Sequence, residues 1–310
     1  MAKFITRRLA HAVLVIIAAT FLIYLGLFTL GDPFASSGEK TVPPEIQEAL
    51  RAKFGMDQPF FMQYLTYLQN MFTFDFGIDF EQRRDVADML ATAVPATARL
   101  ALFAIIIEVI IGLTAGIIAA VAPYTFRDVF ITIITTLGIG IPVFVIGIGL
   151  RAWLSGEWIF PAVPRSFTVE TPWWQEIILP ALTLAILDAA FIARLMRGSM
   201  LEVLRADFIR TARAKGISER KVIGKHAFRN SIIPVVTYTG VSLGVLLGGA
   251  LITERIFEYQ GLGYLLVRAI SQHNNPVIVP IVVFAVVVFV LLSTLVDILY
   301  AYLDPRIRLH

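Results

Sequence analysis

Six apolar runs divide the chain. They are Leu9–Gly31, Leu100–Phe126, Val129–Leu150, Ile177–Ala193, Ser231–Thr253 and Val277–Val296. Each is close to the twenty or so residues that a helix needs to cross a bilayer. Polar interruptions are few: His11 in the first run, Glu108 in the second and Asp188 in the fourth, while the third, fifth and sixth carry no charge. The pattern predicts an all-α polytopic membrane protein with six transmembrane helices. The first run is too long for the apolar core of a signal peptide, so it is read as a retained helix.

Two polar stretches break this rhythm. Residues 32–95 form a long insert with five basic and ten acidic residues. Pro44 is placed to open a short helix with Ile46, Leu50 and Phe54 on one face, ended by Gly55, and an aromatic amphipathic piece runs from Tyr64 to Phe72. Both are too short to span, and they predict an external cap. The organisation expected is therefore 1–31 (first span), 32–95 (extracytoplasmic insert) and 96–310 (core domain).

The second polar stretch lies between the fourth and fifth runs. Residues 194–229 hold ten Lys/Arg against Glu202, Asp207 and Glu219. Ser199 with Glu202 three positions later has the form of a capping box. Gly216 reads as the left-handed residue that ends a helix, and Ser218 as the cap of a second helix from Glu219 to Phe228. The segment 199–230 thus predicts helix, glycine elbow, helix.

Charge orients the spans. With both termini inside, the cytoplasmic pieces hold sixteen Lys/Arg and the external pieces eight, five of them in the long insert, which weighs little. Composition agrees with a membrane class: 57% of residues are hydrophobic, 16% are charged, and mean hydropathy is +0.78, where soluble domains carry about a quarter charged residues. There is no cysteine, so thiol catalysis and thiolate metal sites are excluded. His226 and His273 have no partner at metal-ligand spacing. Gly224-Lys225 is followed by His226, and Glu219 stands where a phosphate-binding loop needs its first glycine. No catalytic set is visible, and any ATP chemistry belongs to another polypeptide.

The basic stretch resembles the coupling segment of ABC importer permeases in its dipeptide and oligopeptide (peptide/nickel) form. Arg210, Thr211, Ala212, Arg213, Ala214, Lys215 and Gly216, followed by Ile217, match it, as do His226-Ala227, Arg229-Asn230 and Ile233-Pro234. Three further motifs are similar to the first-permease type: Gly31-Asp32-Pro33 with Asp57-Gln58-Pro59, then Glu254-Arg255-Ile256-Phe257 with Gly261-Leu262-Gly263, and Asp297 with Asp304-Pro305-Arg306-Ile307-Arg308. The sugar-importer form differs, with Glu-Ala-Ala where Arg210-Thr211-Ala212 stand. The resemblance implies one of two permease subunits of an ATP-driven peptide importer in a bacterial or archaeal cytoplasmic membrane. It implies residues 210–217 as the ATPase-docking segment, with ATP and Mg on two partner ATPases and none on this chain. A second permease and an extracytoplasmic binding protein are the other implied partners. Nickel or haem is the alternative cargo.

Other positions remain open. Glu108 and Asp188 fit either a pathway or a buried pair. A self-sufficient secondary carrier or channel using them is the rival reading. Asp297 fits a bond to a neighbouring helix. Gly240, Gly244 and Gly248, like Gly112 and Gly116, have the spacing that lets helices approach closely.

Overall fold

The computed structural model describes residues 2–29, 48, 52, 58–79, 82–157, 160, 172–247, 250–272 and 274–303. The Gly31-Asp32-Pro33 motif, Asp57, Gly248, His273 and the motif Asp304–Arg308 lie outside them. So does the helix expected after Pro44, apart from Glu48 and Ala52, and so does the side chain of Asp297.

The chain forms two compact units. The first comprises Met1–Ala98, Leu247–Arg255 and Gln260–His310, and the second Arg99–Leu246 with Ile256–Tyr259. Almost every element is helical. Four single helices are long and apolar enough to cross a membrane, and two bent helix pairs bring the number of candidate spans to six.

In the first unit, α1 (Ala2–Thr29) packs along α13 (Asn275–Leu303). The insert contributes α2 (Phe60–Phe72), whose Tyr64 and Tyr67 are buried with Tyr24 of α1 and with Val279 and Val283 of α13. Thr20 and Tyr64 share a hydroxyl–hydroxyl bond of 3.0 Å, and the Tyr24 hydroxyl donates to Gln63 Oε1 at 3.1 Å. A two-residue hairpin follows, β1 (Ile78–Asp79) antiparallel to β2 (Arg84–Asp85), and Asn274 Nδ2 donates to Asp79. The first turns of α3 (Val86–Val121) bury Val86, Leu90 and Ala93 against Leu262 and Leu266 of α12 (Leu262–Ser271) and Val277 and Ile281 of α13. In the chain, α11 (Leu251–Ile256) precedes α12.

In the second unit, the rest of α3 packs on α6 (Trp173–Leu204). A Cβ at Gly112 would stand 2.6 Å from the Ile192 side chain, and one at Gly116 would stand 2.6 Å from the Ala193 carbonyl. Only glycine allows that approach. The third span is α4 (Phe126–Gly140) and α5 (Val143–Leu154), bent by 100°. Beyond α6 come α7 (Asp207–Ala214), α8 (Glu219–Lys221), a π-helical turn (Val222–Ala227), α9 (Phe228–Ser231) and α10 (Ile233–Leu247).

Four sequence expectations are corrected. The Ser199–Glu202 capping box does not form, because both residues lie inside α6, whose Met196 and Met200 are fully buried. Burial of that face carries the helix through a local start signal. The break falls instead at Arg205–Ala206. The second span begins at Val86 rather than Leu100, and α3 is 36 residues long, about 54 Å at 1.5 Å per residue, well over a bilayer core. The third run is not one straight helix: Ile141, which precedes Pro142, is extended (φ −93°, ψ 125°), as steric conflict with the proline ring requires. The helix after Ser218 contains the π-helical turn and runs to Ser231, and Ser218 makes no side-chain cap bond.

Candidate functional site

The segment after α6 is an elbow built on a small apolar core. Ile209 and Ala212 of α7, Val222 and Ala227 of the π turn, and Met196 and Met200 of α6 are buried together. Helical spacing then turns the remaining positions outward. Arg210, Thr211, Arg213, Ala214, Lys215 and Gly216 are exposed, and Phe208 is 47% exposed.

The elbow closes as a Schellman motif. The Gly216 amide donates to the Arg213 carbonyl (2.9 Å) and the Ile217 amide to the Ala212 carbonyl (3.3 Å). Gly216 has φ +74° with nothing within 4 Å of a notional Cβ. The glycine is there for its backbone conformation, which an L side chain disfavours. Ile217 packs back onto the apolar core, the contact that accompanies such caps. Across the elbow Arg213 grips Glu219 with two bonds, of 2.6 and 3.1 Å. This holds the Glu219 carboxyl below its ordinary range. Residues 210–217 therefore form one rigid corner.

The corner sits at the end of α6, and α6 is fixed in turn by a second ion pair. Arg197 binds Asp128 through Nε at 2.6 Å and through its terminal nitrogen at 2.7 Å. Asp128 is buried and also accepts the Tyr124 amide at 2.8 Å. Tyr124 has φ +63°, so this carboxylate pins the tight turn between α3 and α4. Arg194 adds a bond to Thr136 of α4 (2.8 Å). Sequence inspection did not single out Asp128. Its position in the first turn of a helix, where a carboxylate suits the free amides, was the available signal.

The first unit holds a different polar feature. The Glu254 side chain is fully buried. It accepts the Thr97 hydroxyl (2.7 Å), the Tyr264 amide (3.0 Å) and the Gly263 amide. The Thr97 oxygen accepts the Leu262 amide (2.8 Å). A Cβ on Gly261 would come within 2.5 Å of both Glu254 carboxylate oxygens, and one on Gly263 within 2.7 Å of the Leu251 backbone. Burial pushes the Glu254 carboxyl up against the pull of its three donors. The glutamate and the two glycines of the motif 254–263 are thus one object, a carboxylate wrapped by the turn that follows it.

Of the remaining candidates, Glu108 on α3 and Asp188 on α6 come together with Tyr238 and Ser242 of α10. Gly240 and Gly244 lie on α10, half-buried and buried respectively. Among the described residues no group of three or more His, Asp or Glu is arranged to hold a metal ion.

The described residues thus form a multi-helix body with up to six candidate membrane spans and an exposed basic corner. Its family follows from comparison with known proteins. The chain belongs to the family described as binding-protein-dependent transport system inner membrane component, whose profile matches residues 112–309. The profile for the N-terminal part of such membrane components matches residues 1–101. The glutathione transport system permease protein GsiC of Escherichia coli (strain K12) is 37% identical over 311 residues, covering 99% of both chains. The dipeptide transport system permease protein DppB of Bacillus subtilis (strain 168) is 38% identical over 315 residues, covering 100% of this chain and 99% of that protein. Among solved structures, the inward-facing MetNI methionine ABC transporter matches with TM-score 0.57 at 17% identity, over 70% of this chain and 96% of that one; that likeness speaks to fold. The protein is a multi-pass permease component of an ABC importer in the inner membrane, and the ATPase activity of the importer resides on partner subunits.

Proposed function

We propose that this chain is the first-type permease of a peptide importer, and that residues 210–217 are its docking corner for an ATPase subunit. In this reading both termini and the elbow are cytoplasmic and the insert 32–95 is extracytoplasmic. A second, homologous permease supplies the other half of the pathway. Two ATPases bind below, and a substrate-binding protein delivers cargo from outside. Peptides are the cargo class favoured by the full-length similarity to permeases named for dipeptide and glutathione transport.

The observation that carries the docking assignment is the corner itself. Ile209 and Ala212 fasten it to the end of α6, the Schellman turn and the Arg213–Glu219 pair stiffen it, and its outer face is left free. Displacement applied to Arg210–Lys215 passes into α6 without being absorbed by bending. ATP binding, which draws two ATPases together, then biases the helices attached to the corner between two arrangements. That is the only way a ligand on another subunit shifts an equilibrium here. The basic residues of the same stretch suit an acidic groove and the cytoplasmic membrane face alike.

Gentle-detergent purification from native cells, followed by mass spectrometry, tests the assembly. A second permease and ATPases in fixed ratio support it. A chain that arrives alone, and moves solute when reconstituted alone, overturns it in favour of a self-sufficient carrier.

A further inference from the structure

The seam between α3 and α6 carries more than packing. Glu108, Gly112 and Gly116 are spaced four residues apart, so they occupy one face of α3. Gly112 and Gly116 press that face against Ile192 and Ala193 of α6. Asp188 lies one turn before Ile192. The tight seam therefore brings two carboxyl groups together within an apolar stretch.

The two carboxyls are not treated alike. Asp188 receives two donors, the Tyr238 hydroxyl at 2.5 Å and the Ser242 hydroxyl at 3.2 Å, both from α10. Glu108 is fully buried, and no donor group satisfies either of its oxygens. An ionised carboxylate only accepts, so two of them side by side lack a donor between them. They also repel strongly where the dielectric is low. One proton removes both problems, because a protonated carboxyl donates.

We propose that Glu108 and Asp188 form a proton-binding site within the second unit, with one resident proton held between the two carboxyls and the Tyr238 and Ser242 hydroxyls donating to Asp188. The titratable groups facing Glu108 are then Asp188 and Tyr238, and the site ties α3, α6 and α10 into one joint. The proton is a fixed structural ligand. The proposal rests on the geometry of this unit and not on the cargo or on the docking corner.

Infrared spectroscopy of the purified transporter complex tests this directly. The wild-type complex is expected to show a protonated-carboxyl C=O band at neutral pH that is absent from Glu108→Gln. Glutamine keeps a donor for Asp188, so ATP-driven uptake in that variant should stay within about twofold of wild type, as expected where a hydrogen bond is retained. Asp188→Asn removes the second carboxylate and supplies an amide donor, so the band should disappear at a lower pH than in the wild type, and this variant serves as the comparison if Glu108→Gln does not assemble. A spectrum unchanged by Glu108→Gln, or a band with the same pH dependence in the wild type and Asp188→Asn, overturns the assignment. So does a sodium-dependent rise in melting temperature that Glu108→Gln abolishes, which would make the pair a metal-cation site.

Discussion

Glycine marks both the corner at Gly216 and the turn at Gly261–Gly263, for opposite reasons. Gly216 has φ +74° and open space all round it. Gly261 has an ordinary backbone (φ −100°) and no space at all, because Glu254 and Thr97 fill the place of its side chain. The first glycine sets a direction and leaves the surface free. The second closes a cage and leaves nothing free. Charges follow the same division: the corner turns its cations outward, whereas the cage buries a carboxylate and satisfies it from three sides. A docking element needs the first arrangement and a fixed joint the second.

Substitutions distinguish the two. The largest effect is expected from Gly261→Ala. Its methyl lands on the buried carboxylate, and overpacking together with displaced hydrogen bonds should cost about 3 kcal/mol or more, read as a lower melting temperature and poorer assembly of the complex. An unchanged melting temperature would mean that the cage is loose. Thr97→Val comes next. It removes the hydroxyl that both donates to Glu254 and accepts from Leu262, at about 1–3 kcal/mol, whereas Thr97→Ser should restore most of the loss. Equal behaviour of the valine and serine variants would remove the hydroxyl from the account. Gly216→Ala should cost about 1–2 kcal/mol, the penalty of a left-handed L residue, and confine it to the corner. Amide exchange should quicken at residues 212–217 and stay unchanged in α3 and α10. Smallest of all is Arg213→Ala. Its pair with Glu219 is half-exposed (44% and 55%), and such pairs contribute little, so no change in melting temperature is expected, only faster local exchange. A cooperative loss of stability would show that the corner is part of the core.

What was legible in the sequence was local. Apolar runs marked the spans because each is a continuous property of its own residues. Gly216 was legible because a glycine after a basic helical stretch is a chemical stop signal. The capping box at Ser199 was misleading for a related reason: it is local too, and the burial of Met196 and Met200 outweighs it. Pro142 was a readable break that the length of the uncharged run concealed. The polar ties were out of reach. Thr97 and Glu254 are 157 positions apart, and Asp128 and Arg197 are 69 apart. Only the folded chain says which of many acids and hydroxyls meet. Glu108 and Asp188 stood out as costly residues in apolar runs, but their shared seam needed the contacts of Gly112 and Gly116 to become visible.

In the proposed function the corner at residues 210–217 transmits the ATPase stroke. The ratio of ATP hydrolysis to solute uptake in the reconstituted importer, compared between wild type and Gly216→Val, tests it most directly. Valine at this left-handed position distorts the corner while the spans still insert. Hydrolysis should continue while uptake falls at least about tenfold, equivalent to losing roughly 1.4 kcal/mol of coupling. Normal uptake at a normal ratio, in a variant whose corner is shown by amide exchange to be disturbed, would contradict it.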